Sequence, residues 1–212
     1  MVKRSEFLAL SVAATAVAAQ ARPAAAAGSG FAFDRGAFEA VLARPFRHRQ
    51  VFGTARLGGG LVLHYMQNSL NAYRDGFAEG PGTLHVAAVF YGTSLAAMCP
   101  AALWKAFSLQ TFLGRTGEAF EQGERGINPY ADQVTALRTA GASFFVCNNA
   151  LREVTEQLAN APEGAGSDPN AIYAEIAPLL RREPSVMLVP AGVAALNAAQ
   201  EAHFTLLQAT LK

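Results

Sequence analysis

Apolar residues along this chain occur in two patterns: short continuous runs and longer stretches with helical spacing. The continuous or nearly continuous runs are Gln50–Thr54, Val86–Tyr91, Ser143–Cys147, Val186–Val189 and Phe204–Leu207. Strict alternation would indicate a strand with one face in water, whereas a continuous run favours a parallel strand that is covered on both faces. The sequence therefore predicts about five strands in a buried, mostly parallel sheet.

Helical spacing appears between these runs. Leu63, Met66, Leu70, Tyr73 and Phe77 recur three and four residues apart, which places them on one face of a long helix. Further helices are predicted at Phe33–Leu42, Ala101–Leu113, Tyr130–Ala140, Ala150–Leu158, Ala171–Leu180 and Val193–Ala202. Strands that alternate with helices predict a single α/β domain with helices on both faces of the sheet.

The first residues have the pattern of an export signal. Lys3 and Arg4 precede an uncharged stretch, Phe7–Ala21, and small residues follow at Ala25–Ala27. The stretch is shorter than the roughly 20 apolar residues of a membrane-spanning helix. We therefore predict a cleaved secretory signal peptide and a periplasmic mature protein. The pair Lys3-Arg4 also resembles a twin-arginine signal with Lys in place of the first Arg, so both export routes stay open.

The predicted organisation is a signal peptide at 1–27, an N-terminal arm with a short helix at 28–48 and the α/β domain at 49–212. Removing the leader from the 17 basic and 16 acidic residues leaves 14 and 15, a formal charge of −1. This nearly neutral charge shows no excess of basic residues that would favour binding to nucleic acid or to an anionic membrane. Because no second long apolar segment follows, no membrane attachment is expected of the mature protein. Residues 114–128 are rich in glycine and are predicted to form a mobile excursion.

Cys147 is one of only two cysteines, and it ends a predicted strand. The next helix is expected to begin near Ala150 with Asn149 as its N-cap. Ligands gather at the carboxyl ends of parallel strands, and the positive end of a helix dipole favours negative charge on a thiol. Three interpretations stay open: a reactive thiol, an inert core thiol, and half of a disulfide with Cys99.

Cys99 follows the Val86–Tyr91 run and is placed at the same carboxyl side of the sheet. There it could be a resolving thiol or a buried bystander. In a flavodoxin-type strand order the first strand would separate the two cysteines. Because Cα atoms more than about 7 Å apart cannot be bridged, that order would disfavour a disulfide.

No metal or cofactor motif is present in the sequence. The four histidines, His48, His64, His85 and His203, are scattered and form no His-x-x-x-His pair. The glycines at 58–60 precede a helix, but no Gly-Lys-Ser/Thr follows them, and no serine has a Gly-x-Ser-x-Gly setting. We therefore predict neither a metal site nor a bound cofactor.

Two blocks of the sequence resemble the DsrE/DsrF-like family. The first runs from Leu137 through Phe144–Leu151 (FFVCNNAL), where that family has a Leu-x-x-x-Gly-Val-x-Phe/Tyr-x-x-Cys-Asn-Asn-Thr-Leu-like pattern. The second is Val189–Leu207, which is similar to the family's Val-Pro-x-Gly-Val turn and the helix after it. Ala150 stands where Thr is common. The resemblance implies a flavodoxin-like, DsrE-like fold and homo-oligomers.

The resemblance also implies a function, because the family includes sulfur-relay proteins whose cysteine accepts a persulfide. Only Cys147 corresponds to that residue, and Asn148, Asn149, Arg152 and Cys99 are candidate supporting residues. Arg152 follows Cys147 at the spacing of rhodanese-type loops, but NNAL lacks their glycines. The expected function is a periplasmic sulfur carrier or thiol-redox protein, with a small sulfur compound or a sulfur donor or acceptor protein as partner. The alternative is a non-catalytic oligomeric binding or assembly module with an inert cysteine.

Overall fold

A five-stranded, all-parallel sheet forms the centre of the protein. The computed structural model describes residues 31–118, 126–162 and 166–209, so the predicted signal peptide lies outside the described residues, as do residues 119–125 of the glycine-rich excursion. The strands are β1 (His48–Thr54), β2 (Leu84–Phe90), β3 (Ser143–Cys147), β4 (Val186–Val189) and β5 (Thr205–Gln208). All seven residues of β2 and all five of β3 are buried, as their continuous apolar runs predicted. The α/β fold class, flavodoxin-like in its layers, is confirmed.

Eight α-helices connect and cover the strands in the described part of the chain. They are α1 (Arg35–Leu42), α2 (Leu61–Asn71), α3 (Ala101–Ala106), α4 (Leu109–Arg115), α5 (Ala131–Thr139), α6 (Asn148–Ala159), α7 (Pro169–Arg182) and α8 (Gly192–Glu201). All of them lie within one compact unit, Phe33–Lys212. Short 3₁₀ turns at Gly58–Gly60 and Gly92–Met98 complete the connections after β1 and β2.

The strand order β4-β3-β2-β1-β5 decides which loops are neighbours. β2 pairs directly with β3, from Ala87 opposite Ser143 to Phe90 opposite Val146. The expectation that β1 would separate the two cysteine-bearing segments is therefore wrong. From β1 to β4, each strand is added on the same side of the one before it. The last strand, β5, instead lies at the opposite edge of the sheet, beside β1. Because crossovers between parallel strands are right-handed, α8 lies on the sheet face opposite to α2 and α6.

Helix α1, in the predicted N-terminal arm, packs into the core. Asp34 caps it by accepting a hydrogen bond from the Ala37 backbone N–H at 2.8 Å. Its Phe38 ring packs edge-on against Phe145 of β3, with ring centroids 5.0 Å apart. Leu42 joins the same buried cluster, which also contains Leu196 of α8. Helices α1 and α8 thus cover one face of the sheet together.

Two predicted helices differ from those observed. The stretch Ala101–Leu113 forms two helices because the chain turns at Ser108, whose φ of +47° lies in the left-handed region. Helix α2 ends at Asn71 and continues as one wide π-type turn, Ala72–Gly76. This turn shifts the apolar face, so that Phe77 is 67% exposed instead of packing with Leu63 and Met66.

Candidate functional site

Cys147 lies where β3 passes into α6, and its own side chain caps that helix. The Ala150 backbone N–H donates to the Cys147 Sγ at 3.4 Å. The prediction that Asn149 is the N-cap was wrong by two residues, because Asn148 is already helical and Asn149 is an exposed residue of the first turn. The sulfur is thus closer to the free N–H groups of α6 than the sequence suggested, and these groups would stabilise negative charge on it.

A second helix begins beside the same thiol. Strands β3 and β4 pair with Cys147 opposite Val189, so the turn after β4 brings Gly192, the first residue of α8, next to Cys147. A Cβ atom on Gly192 would lie 3.3 Å from the Cys147 Cβ. Glycine lets α8 begin this close without displacing its neighbours by a few tenths of an ångström. Cys147 therefore lies between the N-termini of two helices, both of which carry partial positive charge.

Tyr91, directly after β2, is a site residue that sequence reasoning missed. A Cβ atom on Gly192 would lie 3.2 Å from the Tyr91 ring as well as close to Cys147, which places the phenol ring beside the thiol. The pKa of Tyr91 is raised because the phenol is partly withdrawn from water, and secondarily because negative charge on Cys147 opposes a phenolate. The phenol therefore stays protonated over the ordinary pH range. Its signal in the sequence was its position at the end of the strand that neighbours β3.

Access to Cys147 is narrow, because only 6% of the residue is exposed. The first turn of α8 and the Tyr91 ring cover the thiol from one side. Beside this turn, the Val193 side chain is 71% exposed.

The other residues near Cys147 in sequence hold α6 against α7. The buried Asn148 accepts a hydrogen bond from the Tyr173 hydroxyl at 2.6 Å. The Arg152 guanidinium carbon lies 4.1 Å from the centroid of the same ring, a cation–π contact. Asn148 and Arg152 thus position the helix that begins at the thiol, while Asn149 is exposed at its start.

Cys99 lies in a different place from the one predicted. Both cysteines are free, so the disulfide is not formed. Cys99 lines a cavity of about 80 Å³ with Arg138 and Glu183, and Glu183 lies just before β4 begins, at the amino end of the sheet. Burial, and secondarily Glu183, raises the pKa of Cys99 to about 12. The 3₁₀ turn after β2 carries the chain back along the sheet, which removes Cys99 from the carboxyl end and from a resolving role.

A polar cluster that the sequence did not reveal lies at the carboxyl ends of β1 and β2. The Glu118 side chain is only 4% exposed. Its carboxylate accepts hydrogen bonds from the Thr93 hydroxyl and, at 3.2 Å, from the Leu57 backbone N–H. Arg56 Nε lies 3.3 Å from the same carboxylate. The cluster fastens the beginning of the glycine-rich segment to the loops after both strands.

Metal ligands are scattered over the described ranges, where no three His, Cys, Asp or Glu side chains come together. Nor is any helix in these ranges long and apolar enough to cross a membrane.

The comparisons with known proteins add little beyond the fold. No protein-family model matches the sequence, and no curated protein is similar to it. Among solved structures, the chain is similar to a protein of unknown function, MTH1491, from Methanobacterium thermoautotrophicum. The two share 16% sequence identity with a TM-score of 0.43, over 76% of this chain and 98% of the other. A likeness of this size carries no argument about activity.

Proposed function

We propose that this protein is a sulfur carrier or thiol-redox protein of the DsrE type that uses Cys147 as a persulfide acceptor. The observation that carries the proposal is the placement of the Cys147 Sγ at the N-terminus of α6, with the Ala150 N–H at 3.4 Å and α8 beginning beside it. Attack on sulfur requires negative charge on the thiol, and these N–H groups and helix dipoles stabilise it there.

The transfer is an exchange at sulfur in which the electrons balance without an added oxidant. The Cys147 thiolate attacks the outer sulfur of a persulfide, forms a Cys147–S–S⁻ group and releases the donor's thiolate. With thiosulfate the leaving group is sulfite. In either direction the nucleophile needs access and the leaving group needs stabilisation.

The small exposed fraction of Cys147 supports a slender sulfur donor as the first partner. Polysulfide and thiosulfate present a terminal sulfur on a narrow body, which suits a residue that is 6% exposed. A protein acceptor would have to engage the first turn of α8, where Val193 offers an exposed apolar contact. Transfer to a protein would therefore depend on that turn.

Mass spectrometry of the native protein after polysulfide or thiosulfate treatment tests the proposal. We expect the mass of one added sulfur atom on Cys147, its loss after reduction, and no adduct on Cys147→Ser. Cys99→Ser is the matched control and should still take up sulfur, because Cys99 is 2% exposed at the other end of the sheet. If the wild type gains no sulfur, or if Cys147→Ser gains as much, the proposal is wrong.

The export signal extends the proposal to the periplasm. We expect the mature chain to begin after the leader, near residue 28, and to be recovered in a periplasmic fraction. N-terminal sequencing of the expressed full-length chain checks this expectation, and an uncleaved chain in the cytoplasm would contradict it.

The second candidate function is a non-catalytic assembly module with homo-oligomers, and one observation favours it. Cys147 is only 6% exposed, as expected if the thiol is inert. Val193→Asp separates the two functions. If Val193→Asp loses an oligomer that light scattering detects in the wild type, while Cys147 still takes up sulfur, then assembly does not depend on sulfur uptake.

A further inference from the structure

A cavity of about 570 Å³ lies at the end of the sheet opposite to Cys147. It is open to solvent and is lined by α1, by the C-terminal end of α8 and by the start of β1. Apolar walls come from Phe38 and Leu42 on one side and from Ala198 and Ala202 on the other. This volume falls within the range of small-molecule sites, roughly 300–1,000 Å³.

Two arginines line this cavity; Arg35 is paired with Glu39, whereas Arg49, the second residue of β1, has no carboxylate partner among the described residues. Its guanidinium donates to two backbone carbonyls, Ala202 O at 3.0 Å and Arg44 O at 3.2 Å. Its Nε is shielded from solvent and has no acceptor. Because a guanidinium has five N–H donors and these bonds use two, three donors are left over.

Carboxylates also line the cavity, but they are engaged elsewhere. Glu39 accepts from Arg35 Nε at 2.6 Å, and Glu201 accepts from the Asn197 amide at 2.8 Å. Within the described residues no carboxylate lies in ion-pair distance of Arg49. A partly buried guanidinium without a counter-ion is costly, and that cost favours an anion that enters from outside.

We propose that this cavity binds a small amphiphilic carboxylate, with the carboxylate on Arg49 and the apolar body against Phe38 and Leu42. Arginine is suited to carboxylates because its planar fork can donate two parallel hydrogen bonds. The apolar walls select against a bare inorganic anion, and the volume suits a free small molecule rather than a protein segment. The site is independent of the function proposed for Cys147.

Isothermal titration calorimetry with sodium octanoate tests the proposal directly. Two further probes separate its parts: 1-octanol has the chain without the charge, and inorganic phosphate has charge without the chain. We expect saturable binding of octanoate at one site, and binding at least about tenfold weaker for either comparison probe, since a charge-assisted hydrogen bond and the buried chain each contribute to affinity.

Three variants assign the binding to the cavity. Arg49→Gln should weaken octanoate binding at least about tenfold. Ala198→Leu fills the cavity wall while keeping the Arg49 guanidinium, and should also weaken binding. The control is Arg47→Gln. The Arg47 side chain is 70% exposed, forms an ion pair with Glu79 and does not line the cavity. This variant should bind octanoate like the wild type.

Each outcome decides the proposal. Absence of saturable octanoate binding to the wild type overturns it, and so does equal affinity for octanoate and 1-octanol. Wild-type affinity in Arg49→Gln overturns the role of the cation. Because Arg49 also binds backbone carbonyls, circular dichroism must show that this variant is folded. If it is not, Ala198→Leu decides, and unchanged octanoate affinity there overturns the proposal.

Discussion

The buried His85 makes the stability of this protein depend on pH in a way that can be calculated. The His85 side chain is 0% exposed at the amino end of β2, stacked on Phe46 at 4.8 Å and edge-on to Phe204 at 5.2 Å. Its Nε2 lies 3.0 Å from the Ser143 Oγ, and its Nδ1 has no partner. A proton on this ring would therefore be buried without a counter-charge.

Burial, and to a smaller extent the positive charges of Arg44 and Arg49, lowers the pKa of His85 from 6.5 to about 4. In the unfolded chain His85 gains its proton near pH 6.5, while in the folded chain it stays neutral until about pH 4. The contribution of the neutral His85 ring to the free energy of unfolding is fully present above pH 6.5 and is lost as the pH falls from 6.5 towards 4. At about 1.4 kcal/mol per pH unit, this amounts to roughly 3 kcal/mol.

Urea unfolding of the wild type and His85→Phe, at a series of pH values from about 7.5 to 4.5, measures this contribution. The His85→Phe substitution keeps a ring between Phe46 and Phe204 but leaves the Ser143 hydroxyl without its partner. The free energy of unfolding of each protein is therefore compared with its own value at about pH 7.5. We expect the wild type to lose about 2–3 kcal/mol more than the variant as the pH falls. Carboxylates titrate in both proteins and cancel in the difference.

The exposed His64 provides the matched control, since His64→Gln should keep the wild-type pH dependence. NMR titration of His85 would measure the same quantity directly, as a ring that stays neutral below pH 6. Parallel loss of stability in the wild type and His85→Phe would refute the reasoning, because it would mean that His85 binds protons equally in the folded and unfolded states.

Three further predictions concern the thiols and their surroundings. In native protein at about pH 8, iodoacetamide should label Cys147 alone, and Cys99 should react only after unfolding. The reason is that burial raises the pKa of Cys99 to about 12, and peptide mapping of the labelled protein checks the prediction. Gly192→Ala adds a Cβ 3.3 Å from the Cys147 Cβ, so it should cost about 1–3 kcal/mol in urea unfolding and slow that alkylation. Tyr173→Phe leaves the buried Asn148 oxygen without its donor and should cost about 1–3 kcal/mol, whereas Asn149→Ala should change stability little.

The parts of the fold that local pattern determines were predictable from the sequence. β2 and β3 are buried over their whole length because apolar residues follow one another without interruption, and helices with three- and four-residue spacing formed near the expected places. Helix ends were less predictable. Asn149 has the better capping side chain, but the chain leaves the sheet earlier, and the Cys147 sulfur receives the N–H instead.

The surroundings of Cys147 depended on information that no local window contains. Gly192 reaches the thiol only because β3 and β4 are neighbours, and the Tyr173 bond to Asn148 spans 25 residues. Cys99 was misplaced because a turn after β2, held by Ser94 bonded to the Thr54 and Tyr91 carbonyls at 2.8 Å, carries the chain back along the sheet. Strand order and side-chain pairing over such distances are set by packing, which composition and spacing do not encode.

Access is the structural constraint on the function that we propose for Cys147. The Ala150 N–H at the start of α6 already donates to the Cys147 Sγ. The whole residue is nevertheless only 6% exposed, and α8 begins beside it. In the proposed function, a small donor would reach the thiol more readily than a protein thiol, which would have to displace the first turn of α8. Substitutions in that turn should consequently change transfer to a protein acceptor more than uptake from polysulfide.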